Sequence, residues 1–190
     1  MPPKTRITKE MVINAALEIT RELGVESVNA RTVSERLGCS TQPVMYCFKT
    51  IEDLKRAVHE KLDWIHSEYL MNVDPSQEDM MLGIGLNYIR FAIEETNLFR
   101  FLFQSGFAKE SSLMEMVESE ELKPLIAALG EGLNLTEQQT KDAFLLLSMF
   151  AHGYASIIAN GSLTYDEKAA ADYLDKAYRG AIYAVQEETK

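Results

Sequence analysis

From Ala143 to Ala159 the chain is almost entirely apolar, interrupted only by Ser148, His152, Gly153, Tyr154 and Ser156. A helix that is hydrophobic on every side must be buried on every side, so this segment cannot be the surface helix of a lone small domain. The remainder matches a helical protein. The 10 glycines and 5 prolines in 190 residues fall mostly between segments of helical apolar period. No pair of alternating strands flanks an Asn-Gly or Asp-Gly turn. The Asn160-Gly161 pair follows the apolar segment and reads as its C-terminal stop. The expectation is an all-α protein of about nine helices. Hydrophobic residues at 46% and charged residues at 25% are ordinary globular values. No window reaches the roughly 20 uninterrupted apolar residues of a bilayer span, and residues 1–6 lead into a charged helix without an apolar signal core. A soluble cytoplasmic protein with no membrane partner is expected. Cys39 and Cys47 alone suggest neither a disulfide framework nor a zinc finger.

Residues 1–52 carry the clearest short-range signal. Thr8 can cap a first helix whose apolar face is Val12, Ala15, Ala16 and Ile19, extended by Leu23 and stopped by Gly24. Asn29 opens a second helix through Val33 to Leu37. Gly38 breaks it by permitting positive φ, and Ser40 can cap a third over Thr41–Phe48, where Pro43 is tolerated in the first turn. Two short helices joined by a glycine turn are a helix-turn-helix. Val33, Leu37, Val44 and Phe48 would share its core, leaving Thr41, Gln42, Pro43 and Tyr46 facing outward. Gln can bond an adenine edge at two points, Thr and Pro can touch a thymine methyl, and Tyr can reach a phosphate or base. Arg31, Thr32, Lys49 and Thr50 flank that face where backbone phosphates would lie. With Ser40 they complete the expected DNA-facing set. A small three-helix core with a solvated polar face accounts for the same residues.

Charge permits the first reading. The net charge is −10, but residues 1–50 hold seven Lys and Arg against five Asp and Glu, and the rest hold twelve against twenty-four. A mildly basic head on an acidic body suits a chain that meets a duplex at one end.

The stretch from Thr8 to Leu54 resembles the DNA-binding domain of the TetR/AcrR family of transcriptional regulators. Ala15-Ala16-Leu17 with Gly24 matches its first helix, and Arg31-Thr32-Val33-Ser34-Glu35-Arg36-Leu37-Gly38-Cys39-Ser40 its second helix and turn. Val44-Met45-Tyr46-Cys47-Phe48 is similar to the family's Leu-Tyr-x-His-Phe segment, and Ile51-Glu52-Asp53-Leu54 to the start of its fourth helix. The resemblance implies base reading by Gln42, Pro43 and Tyr46 and phosphate contacts by Thr32, Tyr46 and Lys49. The chain departs from the family at Cys47, Asn29 and Ile51, where His, Thr and Lys are usual, and the last departure removes a phosphate contact.

Beyond residue 52 longer helices are expected over 52–69, 77–95, 97–105, 111–130, 136–159 and 166–186, making 53–190 a ligand-binding and dimerisation domain. The apolar segment, and the small residues Ala169-Ala170-Ala171, Ala177, Gly180, Ala181 and Ala184 after it, point to a homodimer through residues 136–159 and 166–186. Phe150-Ala151-His152-Gly153 with Gly161 resembles the C-terminal domain of a TetR subgroup marked by Trp-His-Gly, with Phe150 in place of Trp. Trp64, Tyr88, Phe91, Phe103, Phe107, Met114, Phe144 and His152 are the expected lining of an effector site, although aromatics at helical spacing also serve simply as core. His59, Asp63 and His66 share a helix face by spacing, and helix-surface histidines beside acids are commoner than ligands, so no metal and no cofactor is expected. No GxGxxG, Walker, GxSxG or HExxH pattern suggests an enzyme. The expected function is a ligand-responsive regulator, a repressor released from a palindromic operator by a small molecule. The alternative is a small-molecule-binding or interaction protein with a degenerate helix-turn-helix.

Overall fold

The structure, a computed structural model, describes residues 7–77, 79–107, 117–120 and 122–187. Among these it holds α-helices α1 (Lys9–Leu23), α2 (Ala30–Leu37), α3 (Thr41–Cys47), α4 (Ile51–Met71), α5 (Met80–Glu94), α6 (Thr96–Gln104), α7 (Lys123–Leu133), α8 (Glu137–Ala159) and α9 (Glu167–Glu187). A 3-10 turn, Val25–Ser27, links α1 to α2, and the described residues form no strand. The all-α expectation of about nine helices holds. The chain divides into two compact units, Met1–Ser67 with Glu95–Ala108, and Glu68–Glu94 with Lys109–Lys190.

Local chemistry sets most boundaries in the first unit. Thr8 Oγ1 accepts from the Met11 N–H at 3.2 Å, and α1 ends at Gly24, whose φ is 85°. Asn29 Oδ1 accepts from the N–H groups of Arg31 and Thr32, while Thr32 Oγ1 accepts from the Asn29 N–H at 3.1 Å. This reciprocal cap satisfies donors that the first turn of α2 leaves free. Gly38 closes α2 in the left-handed region at φ 65°. Ser40 takes the extended backbone of an N-cap for α3, yet its side chain makes no capping bond, contrary to expectation. Thr50 Oγ1 caps α4 by accepting from the Asp53 N–H at 3.0 Å.

The core of this unit contains Val12, Ala16, Ile19, Val33, Val44, Leu54, Val58 and Leu62. Two expected core positions differ. Leu23 is 63% exposed because α1 is already ending there, and Leu37 is only half-buried. α6 packs on α1 and is tied to it by polar contacts. Arg21 Nε donates to the Glu95 carboxylate at 3.0 Å, and Asn97 Nδ2 donates to the Arg21 carbonyl at 2.9 Å.

The second unit is organised by α8, which packs along α5 and α9 and against α7. Its core joins Met81 and Ile89 of α5, Ile126 and Leu129 of α7, Phe144, Leu147 and Ala151 of α8, and Ala170, Leu174 and Tyr178 of α9. A reciprocal cap between Thr136 and Gln139 starts α8, and Gln139 Nε2 also donates to the Val185 carbonyl of α9 at 2.9 Å. Of the helix expected over 111–130, the described residues show α7, from Lys123 to Leu133, and a helical Val117, with residues 111–116 and 121 outside the described set. Gly130 does not end it. A Cβ there would lie 2.8 Å from Thr140 Oγ1, so this glycine allows α7 to approach α8, and the stop comes at Asn134, left-handed at φ 54°.

On α4, His59 and His66 are buried and Asp63 is exposed, so the three do not present one solvated face as their spacing suggested. His59 Nε2 meets the Leu102 carbonyl at 3.2 Å with its ring edge-on to Phe101, and His66 packs edge-on to Phe103. No cluster of three metal-type ligands occurs among the described residues.

Two expectations follow. Asn29→Ala removes the acceptor for two N–H groups and should cost about 1 kcal/mol of stability, read as a lower urea midpoint at unchanged slope. Burial pushes the His66 imidazole down to about 4 from its ordinary 6.5. Between those values the unfolded chain takes a proton that the folded chain refuses. Stability therefore falls as pH drops from 6.5 to about 4, by on the order of 3 kcal/mol, and unfolding of His66→Leu should lose most of that slope.

Candidate functional site

The outward side of the helix-turn-helix is built as its sequence suggested. Val44 and Phe48 turn inward and are buried, which leaves Thr41, Gln42, Met45 and Tyr46 on the opposite side of α3, all exposed. Tyr46 is 90% exposed, an unusual state for a large aromatic with no ligand to meet. Pro43 is half-buried in the first turn. Met45, which the sequence reading passed over, belongs to the same stripe because it lies one helical turn from Thr41 and Gln42.

The flanking residues divide into two groups. Lys49, Ser40 and Thr50 are exposed, and Thr50 is also the cap of α4. Thr32 is half-buried and its hydroxyl donates to the Ser27 carbonyl at 2.7 Å, so that group serves the start of α2. Arg31 is exposed and pairs with Glu35 at 2.8 Å, and this carboxylate raises the guanidinium pKa. Such a solvated pair holds the arginine only weakly. Arg36 forks onto Glu22 of α1, and the contact holds the Glu22 carboxyl below its usual range. Lys9 Nζ lies 5.7 Å from the centre of the Phe48 ring, adding a cation beside α3 that short-range spacing did not signal. At the start of α4 the exposed Glu52 and Asp53 stand beside Ile51, where a cation is absent.

In the second unit Tyr88 of α5 and His152 of α8 come together. The phenol oxygen lies 2.8 Å from His152 Nδ1, and His152 Nε2 lies 3.3 Å from Ser156 Oγ. Burial raises the Tyr88 pKa well above its ordinary value and lowers that of His152. The phenol therefore stays protonated and the ring neutral, so both contacts join uncharged groups. The result is an uncharged relay of three polar groups. Ser156 was not among the expected residues, because its role depends on lying one turn beyond His152 on the same face.

The other expected effector residues are scattered. Phe144 is buried in the core that Tyr88 borders, and Phe91 is buried against Tyr69 with ring centres 5.2 Å apart. Trp64 is 63% exposed, Phe103 is exposed, and Phe107 stacks on His59, all three in the first unit. Met114 lies outside the described residues. A cavity of about 350 Å³ in the first unit is lined by Leu23, Val25, Asn97, Arg100, Phe101 and Gln104 among others, and none of the expected effector residues borders it.

α8 leaves a second apolar face uncovered. Leu146, Met149 and Ile157 are exposed with Gly153 among them, and α9 exposes Tyr173, Gly180, Tyr183 and Ala184. By length and composition α8 could cross a membrane, with an 18-residue stretch of mean hydropathy 1.4 of which only 28% is buried within the chain.

No protein-family description matches the sequence, and no curated protein is similar to it. Solved structures are. A transcriptional regulator from Rhodococcus sp. RHA1 superposes with a TM-score of 0.70 at 17% identity, covering 94% of this chain and 97% of that one. A TetR-family transcriptional regulator from Streptomyces coelicolor gives 0.67 at 17% identity, over 96% of this chain and 82% of its own. The multidrug binding protein EbrR, solved in complex with ethidium, gives 0.52 at 17% identity, over 93% and 99%. At such identities the likeness concerns the backbone, and from first helix to last this chain has the all-α fold of the TetR-family transcriptional regulators.

Proposed function

We propose that the chain is a DNA-binding transcriptional regulator, with residues 1–52 reading an operator and residues 53–190 dimerising and binding a small-molecule effector. The observation that carries this reading is the exposed stripe of Thr41, Gln42, Met45 and Tyr46 on a glycine-turned helix pair, in a chain with the fold of known regulators. Gln42 has the geometry to bond an adenine edge, Thr41 and Pro43 meet a thymine methyl, and Tyr46 reaches a base or phosphate. Lys49, Arg31, Ser40 and Thr50 flank this face, and Thr32 orders the start of α2 behind it. Arg31 exchanges its solvated Glu35 partner for a phosphate at little cost.

Two copies pair through α8 and α9. Their uncovered apolar faces, and the small residues Gly153, Gly180 and Ala184 that permit close helix approach, support a four-helix interface. A dimer sets two recognition helices about 34–36 Å apart, one turn of a palindromic operator. Repression is the simplest outcome. The protein occludes a promoter until an effector favours the geometry that does not fit DNA. Tyr88, His152 and Phe144 are the most suitable of the expected effector residues, because they border one core and offer an uncharged hydrogen-bonding pair. The ethidium complex of a protein of this fold supports a small-molecule role.

A second reading, an effector-binding or interaction protein with a degenerate head, is favoured by Glu52 and Asp53 beside Ile51, where a phosphate would sit, and by the net charge of −10.

Selection from a random duplex library decides between them, and a palindrome should be enriched. Gln42→Ala should relax discrimination at one position by about 1–3 kcal/mol. Lys49→Ala should weaken every sequence alike and lower the salt slope by about one. Absence of enrichment by a folded dimer would favour the second reading. For the interface, Leu146→Glu combined with Met149→Glu should give a monomer in sedimentation and lose tight operator binding. A dimer that survives both changes would place the interface elsewhere.

A further inference from the structure

The side chain of Asn87 on α5 is buried, with 5% exposure, and serves another helix. Its Nδ2 donates to the carbonyls of Leu70 and Asn72 at 3.1 Å and reaches that of Tyr69 at 3.4 Å. The carbonyls of Tyr69 and Leu70 lie in the last turn of α4, where the buried amide joins the Asn72 N–H, 3.3 Å from the Tyr69 oxygen, in capping them. Arg90 Nη1 donates to Asn87 Oδ1 at 3.2 Å, which keeps the amide turned with its NH2 group toward α4. The adjacent residue, Tyr88, makes the 2.8 Å contact with His152 of α8. Successive side chains on a helix point about 100° apart. One peptide unit of α5 thus holds the end of α4 on one side and the polar relay of α8 on the other.

Among the described helices α4 alone contributes residues to both compact units, and it starts at Ile51, shortly after α3 ends at Cys47. A helix is stiff along its axis, so a change in how its last turn is held is carried to its first. We propose that Asn87 is the positioning residue that links the state of the Tyr88–His152 contact to α4. When a ligand takes up the Tyr88 hydroxyl or the His152 ring, α5 shifts and the amide loses its grip on the Tyr69, Leu70 and Asn72 carbonyls. With Tyr88 and His152 engaged to each other, the grip is kept. This inference rests on reading the chain as an effector-responsive DNA-binding regulator.

Coupling between two sites is reciprocal, so DNA can be the probe and no effector is needed. The full-length protein, labelled at its histidine rings, is titrated with the selected operator duplex while the His152 ring signals are followed by NMR. In the wild type, saturating duplex should move them. In Asn87→Asp, which keeps the shape but replaces the donor with an acceptor facing three carbonyls, operator affinity should stay within about threefold while the His152 signals no longer respond. A residue that merely supports the fold would lower the melting temperature and leave that response intact. An equal response in the variant overturns the proposal, as does a wild type whose His152 is unmoved at saturation. If Asn87→Asp does not fold, Asn87→Ser, too short to span the three carbonyls, replaces it with the same two outcomes. A wild type that binds no duplex overturns the regulator reading and this inference together. That failure is distinct because it appears in the binding titration itself.

Discussion

α8 brings 23 residues of predominantly apolar helix into a chain of modest size, and water tolerates such a helix only when neighbouring helices cover it. The second unit is arranged around that requirement. α5 and α9 take the side bearing Ala143, Leu147, Ala151 and Ala155, where small residues let the helix axes come close. Gly85 serves the same purpose on α5, since a Cβ there would sit 3.1 Å from a Leu174 methyl. α7 closes the N-terminal end through the Gly130–Thr140 contact. These three helices leave the Leu146, Met149 and Ile157 face of α8 uncovered.

The first unit meets the opposite difficulty. α2 and α3 have 8 and 7 residues, too short to persist alone in water. They persist because Asn29, Thr32 and Gly38 resolve their ends and because Val33, Val44 and Phe48 share a core with α1. The stabilising residues and the outward residues occupy separate faces. Gln42, Met45 and Tyr46 therefore lie outside the core that holds α2 and α3 to α1. The first unit also recruits α6, far along the chain, through Glu95 and Asn97 against Arg21, so the helix-turn-helix is braced by an element outside the N-terminal segment.

Directed hydrogen bonds hold polar side chains inside both units. His59 faces the Leu102 carbonyl, Asn87 the end of α4, and Tyr88 the ring of His152. A charge in such places would have to be stripped of water, and the lowered histidine and raised tyrosine pKa values express that cost. Neutral groups held by hydrogen bonds, as at Tyr88–His152 and Asn87, avoid that cost.

Much of the architecture was legible in the sequence because it depends on neighbours a few residues apart. The caps at Thr8 and Asn29, the stops at Gly24 and Gly38, the inward Val44 and outward Tyr46, and the extents of α8 and α9 all follow from helical period and end chemistry. Where distant segments meet, local rules were silent or misleading. The helix expected to end at 130 runs on to Leu133, and Gly130 is a point of close approach to Thr140. Leu23 looked like core and is exposed. The His59–Asp63–His66 spacing suggested a solvated face, yet both histidines are buried. The pairing of Tyr88 with His152, the reach of Asn87 to α4 and the grip of α6 on Arg21 join residues from 15 to 76 positions apart. The sequence by itself determined which segments are helices and which faces must be hidden, since backbone hydrogen bonding and apolar period act locally. Only the tertiary structure decided which buried polar groups meet, because that depends on how helices of fixed pattern pack side by side, and packing has no signature in the order of residues along the chain.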